Sequence, residues 1–130
     1  MDQQWQKMYE AASQVQRFHQ IGEHMEAGGV AAAVLSESGK IYTGVCVDTA
    51  CGLGVCAERN ALFNMITQGE TRVSRVLALM SNGKNGAPCG ACREFIVQLM
   101  EKDYQNVEVM MDYRHDKVVK MSELTPEWWL

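Results

Sequence analysis

The sequence predicts an α/β fold, a three-layer α/β/α sandwich around a five-stranded mixed sheet. Three observations lead there. Apolar residues recur at three- and four-residue steps in separate segments, as one face of a helix requires. Short apolar runs bounded by Gly, Asn, Ser and Pro lie between them and read as strands. The two kinds of segment alternate, which calls for a sheet covered on both faces.

Near the start, Trp5, Met8, Tyr9, Ala12, Val15 and Phe18 form one helical stripe. GVAAAVL (29–35) reads as a buried strand, SESGK (36–40) as a turn, and IYTGVCV (41–47) as the antiparallel partner. After a loop carrying Gly52 and Gly54, a helix is expected to begin near Cys56, with Ala61, Leu62, Met65 and Ile66 facing inward and Gly69 close to its end. VSRVLALM (73–80) is a strand running into the loop SNGKNGAP. Pro88 sits where helix starts favour proline, and Cys92, Phe95, Ile96, Leu99 and Met100 give the next helix its stripe. VEVMM (107–111) and KVVKM (117–121) are two more strands, and SELTPEWW (122–129) is a short closing helix with Ser122 as its cap.

A chain of 130 residues fits a single domain spanning 1–130. No run of about 18 apolar residues occurs, and the N-terminus has no export or lipidation pattern, so the expectation is a cytoplasmic protein with no membrane partner. A net charge of -4 without clustered Lys and Arg argues against a nucleic-acid partner and for a small molecule. The five cysteines are an odd number in such a chain, which points to metal binding or catalysis rather than disulfides. His19, His24 and His115 lie in polar surroundings and read as surface residues.

The chemistry concentrates in CAERNALF (56–63) and PCGAC (88–92). Both fall at the start of a helix, where free N–H groups and the helix dipole favour a thiolate. Cys89 and Cys92, three apart, lie on one side of a first turn, and the other helix start can bring Cys56 as a third sulfur. Three protein ligands leave a tetrahedral zinc with one open position, where a bound water is made acidic. Glu58, two residues from a ligand, can then take that water's proton without ligating. Three other readings stay open: small buried cysteines beside a dipole-compensating acid, a closed structural zinc site with Cys51 or Cys46 as fourth ligand, and a dithiol switch at Cys89 and Cys92.

CAE at 56–58 with PCGAC at 88–92 resembles the small zinc-dependent cytidine deaminases, and blasticidin S deaminases share the motifs. GVAAAVLSESGKIYTG (29–44) is similar to that family's strand hairpin, CGACREF to its second site helix and KMSELTPEWW to its C-terminal segment, so the likeness runs from about Val30 onward. The resemblance implies one Zn2+ per chain on Cys56, Cys89 and Cys92, hydroxide attack at C4 of a cytosine ring, and Glu58 protonating N3 before ammonia leaves. It also implies that the backbone N–H of Ala57 binds the 2-oxo group and that the carbonyl of Ala87 lies near the amino group. A zinc ion on three thiolates is anionic, so Arg59 and Arg93, each next to or near a ligand, are expected to offset its charge, with Pro88 in the same supporting set. The implied substrate is cytidine or deoxycytidine in pyrimidine salvage, and the implied assembly is a homotetramer, or a homodimer, to which Trp128 or Trp129 contributes.

Two positions depart from the family pattern. Where it has an Asn-x-Glu element for the sugar hydroxyls, this chain has Cys46-Val47-Asp48, of which Asp48 can accept a hydroxyl hydrogen bond and Cys46 supplies no amide. Where it has a pocket aromatic, this chain has Gly28. Both leave a modified cytosine derivative such as blasticidin S, or another aminopyrimidine, as the alternative substrate.

Overall fold

The structure, a computed structural model, describes residues 2–130. Helix α1 (Gln3–Val15) starts at Asp2, whose carboxylate accepts the N–H of Trp5 at 3.1 Å. It buries Trp5, Met8 and Ala12, as the stripe requires. The stripe does not reach Phe18, which lies past the helix end and is 55% exposed. Gln16 turns extended there, and its amide donates to the carbonyls of Gly28 and Gly29.

That turn starts a strand the sequence did not announce. β1 (His19–Gly22) pairs antiparallel with the first residues of β2 (Met25–Ser36), making six strands where five were expected. All four residues of β1 are exposed, so HQIG carries no in-and-out alternation to read. Residues 25–27 pair with β1 on one edge and with β3 (Ile41–Thr49) on the other, while residues 30–36 pair with β4 (Val73–Met80). β1 therefore lies in line with β4 along one edge of β2, and the sheet stays five strands wide. β5 (Glu108–Asp112) pairs parallel with β4, and β6 (Lys117–Lys120) antiparallel with β5, so the sheet is mixed as expected.

The long run in β2 is buried on both sides. Ala31, Ala33 and Leu35 pack with α1, Leu77, Leu79 and Met110, whereas Ala32 and Val34 pack with α2 (Ala57–Thr67) and α3 (Gly90–Leu99) on the other face. Two helices on one face and one on the other give the three layers. α2 lies close on β3: a Cβ at Gly44 would stand 2.3 Å from the backbone nitrogen of Ala61. The amides of Asn60 and Asn64 donate to the carbonyls of Val45 and Thr43 at 3.0 and 2.7 Å, which blunts an edge strand. Gly69 and Glu70 close α2 with bonds to Ile66 and Met65, leaving Ile66 38% exposed rather than inward.

The ends of two later elements also differ from expectation. Pro88 precedes the capping residue Cys89, so it lies just outside α3 and not at its first position. α4 is only Met121–Leu124, ending there because Pro126 forces Thr125 out of helical geometry; its cap is Lys120, whose N–H donates to the Glu123 carboxylate at 2.9 Å, and not Ser122. A single 3-10 turn (Tyr104–Asn106) joins α3 to β5. Among the described residues no helix is long and apolar enough to cross a membrane. The close approach at Gly44 yields a test: Gly44→Ala should lower unfolding stability by about 1–3 kcal/mol through overpacking against α2. A denaturation midpoint equal to the parent's would contradict that contact.

Candidate active site

Two loops deliver the thiols to one place. After β3 the chain is pinned by paired backbone hydrogen bonds between Val47 and Val55, both 3.0 Å, and the next residue, Cys56, is the N-cap of α2. After β4, Asn85 holds the loop by donating to Ala78 and accepting from the Tyr113 N–H, both at 2.8 Å, and Cys89 becomes the N-cap of α3. Cys92 follows one turn later and is fully buried.

The Sγ atoms of Cys56 and Cys89 are 3.3 Å apart, those of Cys89 and Cys92 3.6 Å, and all three lie within 4.8 Å of one another. A tetrahedral zinc with sulfurs at about 2.3 Å needs them about 3.8 Å apart, so the donor set fits that ion with little movement. Burial pushes the Cys56 and Cys92 thiols up, Cys92 further because the Glu58 charge is near it. Burial acts on Cys89 as well, but the N–H groups of Cys92 and Ala91 and the neighbouring thiols outweigh it and bring Cys89 below the ordinary thiol range. Those N–H groups make no full capping hydrogen bond to the sulfur. They act on it through their field at the helix start, together with the neighbouring thiols.

The two arginines divide. Arg59 donates from Nη2 to Cys56 Sγ at 3.4 Å, and its Nε is buried without a hydrogen-bond partner. Arg93 turns away from the sulfurs, giving Nε to the Pro88 carbonyl at 2.8 Å and Nη1 to the Leu124 carbonyl at 2.9 Å. Only Arg59 therefore stands where charge offset was expected of both. Neither Cys46 nor Cys51 joins the sulfur cluster. Cys46 accepts the Val30 N–H at 3.2 Å, and Cys51 is exposed in the loop. Among the described residues there is no fourth sulfur in reach, which removes the closed-site reading its ligand.

Beside the cluster lies a cavity of about 530 Å³, within the range that holds a drug-sized ligand. Cys46, Asp48, Cys56, Ala57, Glu58, Arg59, Ala87 and Cys89 all line it, while Pro88, Cys92 and Arg93 stand behind it. Glu58, in the first turn of α2, is 6% exposed, and burial pushes its carboxyl above the usual carboxylate range against its own N–H and the Arg59 charge. Asp48 is exposed at the mouth. The apolar wall of Val30, Ala78 and Met80 was not foreseen; the last two end the strand just before the cysteine loop, and that position was the available clue. Gly28 does not line the cavity: its φ of 84° and an Arg17 oxygen 1.9 Å from where a Cβ would lie leave no place for a side chain.

Residues 2–108 match the family of the cytidine and deoxycytidylate deaminase zinc-binding region. The chain belongs to that family. A probable cytidine deaminase of Dictyostelium discoideum is 36% identical over 96 residues, covering 72% of this chain and 63% of that protein. The cytidine deaminase of Halalkalibacterium halodurans is 35% identical over 75 residues, covering 57% of each. The matched segment thus spans less than two thirds of those relatives' length. Among solved structures, cytidine deaminases from Mycobacterium leprae and Burkholderia pseudomallei superpose with TM-scores of 0.76 and 0.75, each at 26% identity, covering 97% and 99% of this chain and 100% of theirs. The fold is theirs, and the family's Zn2+ fits the Cys56, Cys89 and Cys92 cluster.

Cys92→Ser should abolish stoichiometric zinc by elemental analysis, while Cys46→Ser and Cys51→Ser keep one ion per chain. Metal loss in either of the last two would restore a four-sulfur site. Arg59→Gln, which removes the cation on Cys56, should weaken zinc retention by about 10–100-fold in chelator competition. Equal retention would remove Arg59 from the site's electrostatics.

Proposed function

We propose that this protein hydrolytically deaminates a free cytosine nucleoside, cytidine or 2′-deoxycytidine, to the uracil nucleoside and ammonia. The observation that carries the reading is a nearly buried carboxylate, Glu58, in the same cavity as two of three clustered thiols. Zinc, which Cys56, Cys89 and Cys92 would hold, would supply Lewis acidity and make a water molecule acidic near neutral pH. Glu58 would take the attacking water's proton to ring N3 and then carry a second proton, from the hydroxyl now on C4, to the amino group, so that the C4–N bond breaks and ammonia leaves. Ala57, first residue of α2, offers a helix-start N–H to the 2-oxo group, and the Ala87 carbonyl faces the amino group from the other loop.

Charge favours a nucleoside over a nucleotide. The acids Asp48 and Glu58 line the cavity, and its single cation, Arg59, is engaged by Cys56, so a phosphate would find no free positive partner. Asp48 accepts a sugar hydroxyl. In this reading the chain works in cytoplasmic pyrimidine salvage, and exposed Phe18, Ile21 and Trp129 suit contacts between subunits of a homotetramer or homodimer.

One observation favours a second substrate. The Cys46 sulfur already accepts the Val30 N–H, so it makes a poor partner beside Asp48 for a ribose, and a cytosine carrying another substituent, as in blasticidin S, fits that wall as well. Ammonia release from cytidine by the zinc-loaded protein separates the two. Turnover that falls about 10²–10⁴-fold in Glu58→Ala is the expected result. No turnover of cytidine or deoxycytidine with zinc firmly bound, and turnover of blasticidin S instead, would overturn the nucleoside assignment.

A further inference from the structure

The C-terminal segment, residues 121–130, supplies no sulfur to the cluster, yet it is bound along α3, the helix that carries two of the three thiols. Arg93 makes the first tie. Its guanidinium joins the Pro88 carbonyl, one residue before Cys89, to the Leu124 carbonyl at the end of α4. The next residue makes the second: Glu94 Oε1 accepts the indole N–H of Trp128 at 3.0 Å and of Trp129 at 2.8 Å. Past the C-terminal end of α3, the Tyr104 hydroxyl donates to the Leu130 carbonyl at 2.7 Å. The segment is fixed from beneath by Met121, fully buried with its N–H on the Val107 carbonyl, and by Thr125, 5% exposed, whose hydroxyl donates to Met121.

We propose that Arg93 is a positioning residue that ties this C-terminal segment to the Pro88–Cys89 peptide, so that zinc retention depends on a segment containing no ligand. The need for such a tie is local. Cys89 is exposed, has no hydrogen bond capping its helix, and follows a loop that runs from residue 81 to residue 88. The orientation of the Pro88 peptide sets where the Cys89 sulfur points, and the guanidinium fork fixes that peptide from a helix held elsewhere. A planar fork reaches two carbonyls at once; an ammonium does not reproduce that geometry. Partners one step behind a ligand commonly alter metal affinity by about 10–100-fold.

The inference rests on the zinc reading of the three cysteines but not on the identity of the substrate. Its test is the rate at which the zinc-loaded protein releases zinc to a colorimetric chelator, read beside the thermal midpoint of the zinc-free protein. Arg93→Ala should release zinc about 10–100-fold faster. Arg93→Lys, which keeps the charge, should recover little of that loss. Glu94→Ala frees both indoles, leaves Arg93 in place and should also speed release. The effect of Arg93→Ala and Glu94→Ala together should be less than the product of the two, since both act through one segment. Release at the parent rate in Arg93→Lys would make Arg93 a charge and not a tie. Unchanged release in Glu94→Ala, or a lowered zinc-free midpoint with unchanged release in either variant, would reduce the contacts to ordinary structural support. If Arg93→Ala does not fold, the Lys and Glu94 variants still decide. A parent protein that holds zinc tightly but leaves cytidine untouched would fail the nucleoside reading and leave this one standing.

Discussion

Two helix N-termini converge on one point, and most of the fold follows from what that requires. A helix start leaves N–H groups without intrahelical partners, so it is the natural place to stabilise a thiolate. To bring two starts together, α2 and α3 must lie on the same face of the sheet and begin at the same end. β3 leads into the first, and β4 into the second. The parallel pairing of β4 with β5 is part of the same constraint, because a parallel neighbour can be reached only by a crossover, and α3 is that crossover. The alanines of β2 let helices approach from both faces, and Gly44 lets α2 lie almost on the backbone of β3.

Assembling three thiols and a carboxylate in a partly buried place is electrostatically unfavourable. Burial raises the proton affinity of Cys56, Cys92 and Glu58, and neighbouring charge raises that of the two thiols further. A divalent cation reverses that cost, since it binds the thiolate form. The half-buried Arg59, with Nη2 on Cys56 and a buried Nε left without a partner, fits the same logic: a cation partly desolvated beside sulfur is sensible where the sulfurs are anionic. The cavity then places Glu58 next to the cluster and not within it, which in the proposed reaction separates proton transfer from metal binding.

Much of this was legible because it depends on local patterns. The stripe of Trp5, Met8 and Ala12 locates α1, the alternation of Gly and apolar runs locates β2 to β4, and the spacing of Cys56, Glu58, Cys89 and Cys92 brings out the site from the sequence alone. What escaped depends on long-range contacts. β1 forms because Gln16 and the register of β2 place it there, and its exposed HQIG has no period of its own. The different orientations of Arg59 and Arg93 were invisible for the same reason: both are close to a cysteine in sequence, but the Leu124 carbonyl that captures Arg93 is 31 residues away. The taking of Cys46 by Val30, sixteen residues back, likewise cannot be read from CVD alone.

X-ray absorption at the zinc edge of the purified protein shows whether three cysteines hold a metal and leave one position open beside Glu58. Three sulfurs at about 2.3 Å and one lighter oxygen or nitrogen neighbour at about 2.0 Å are expected. Four sulfurs around the metal would contradict that, since a closed site leaves no place for water and gives Glu58 no proton to move.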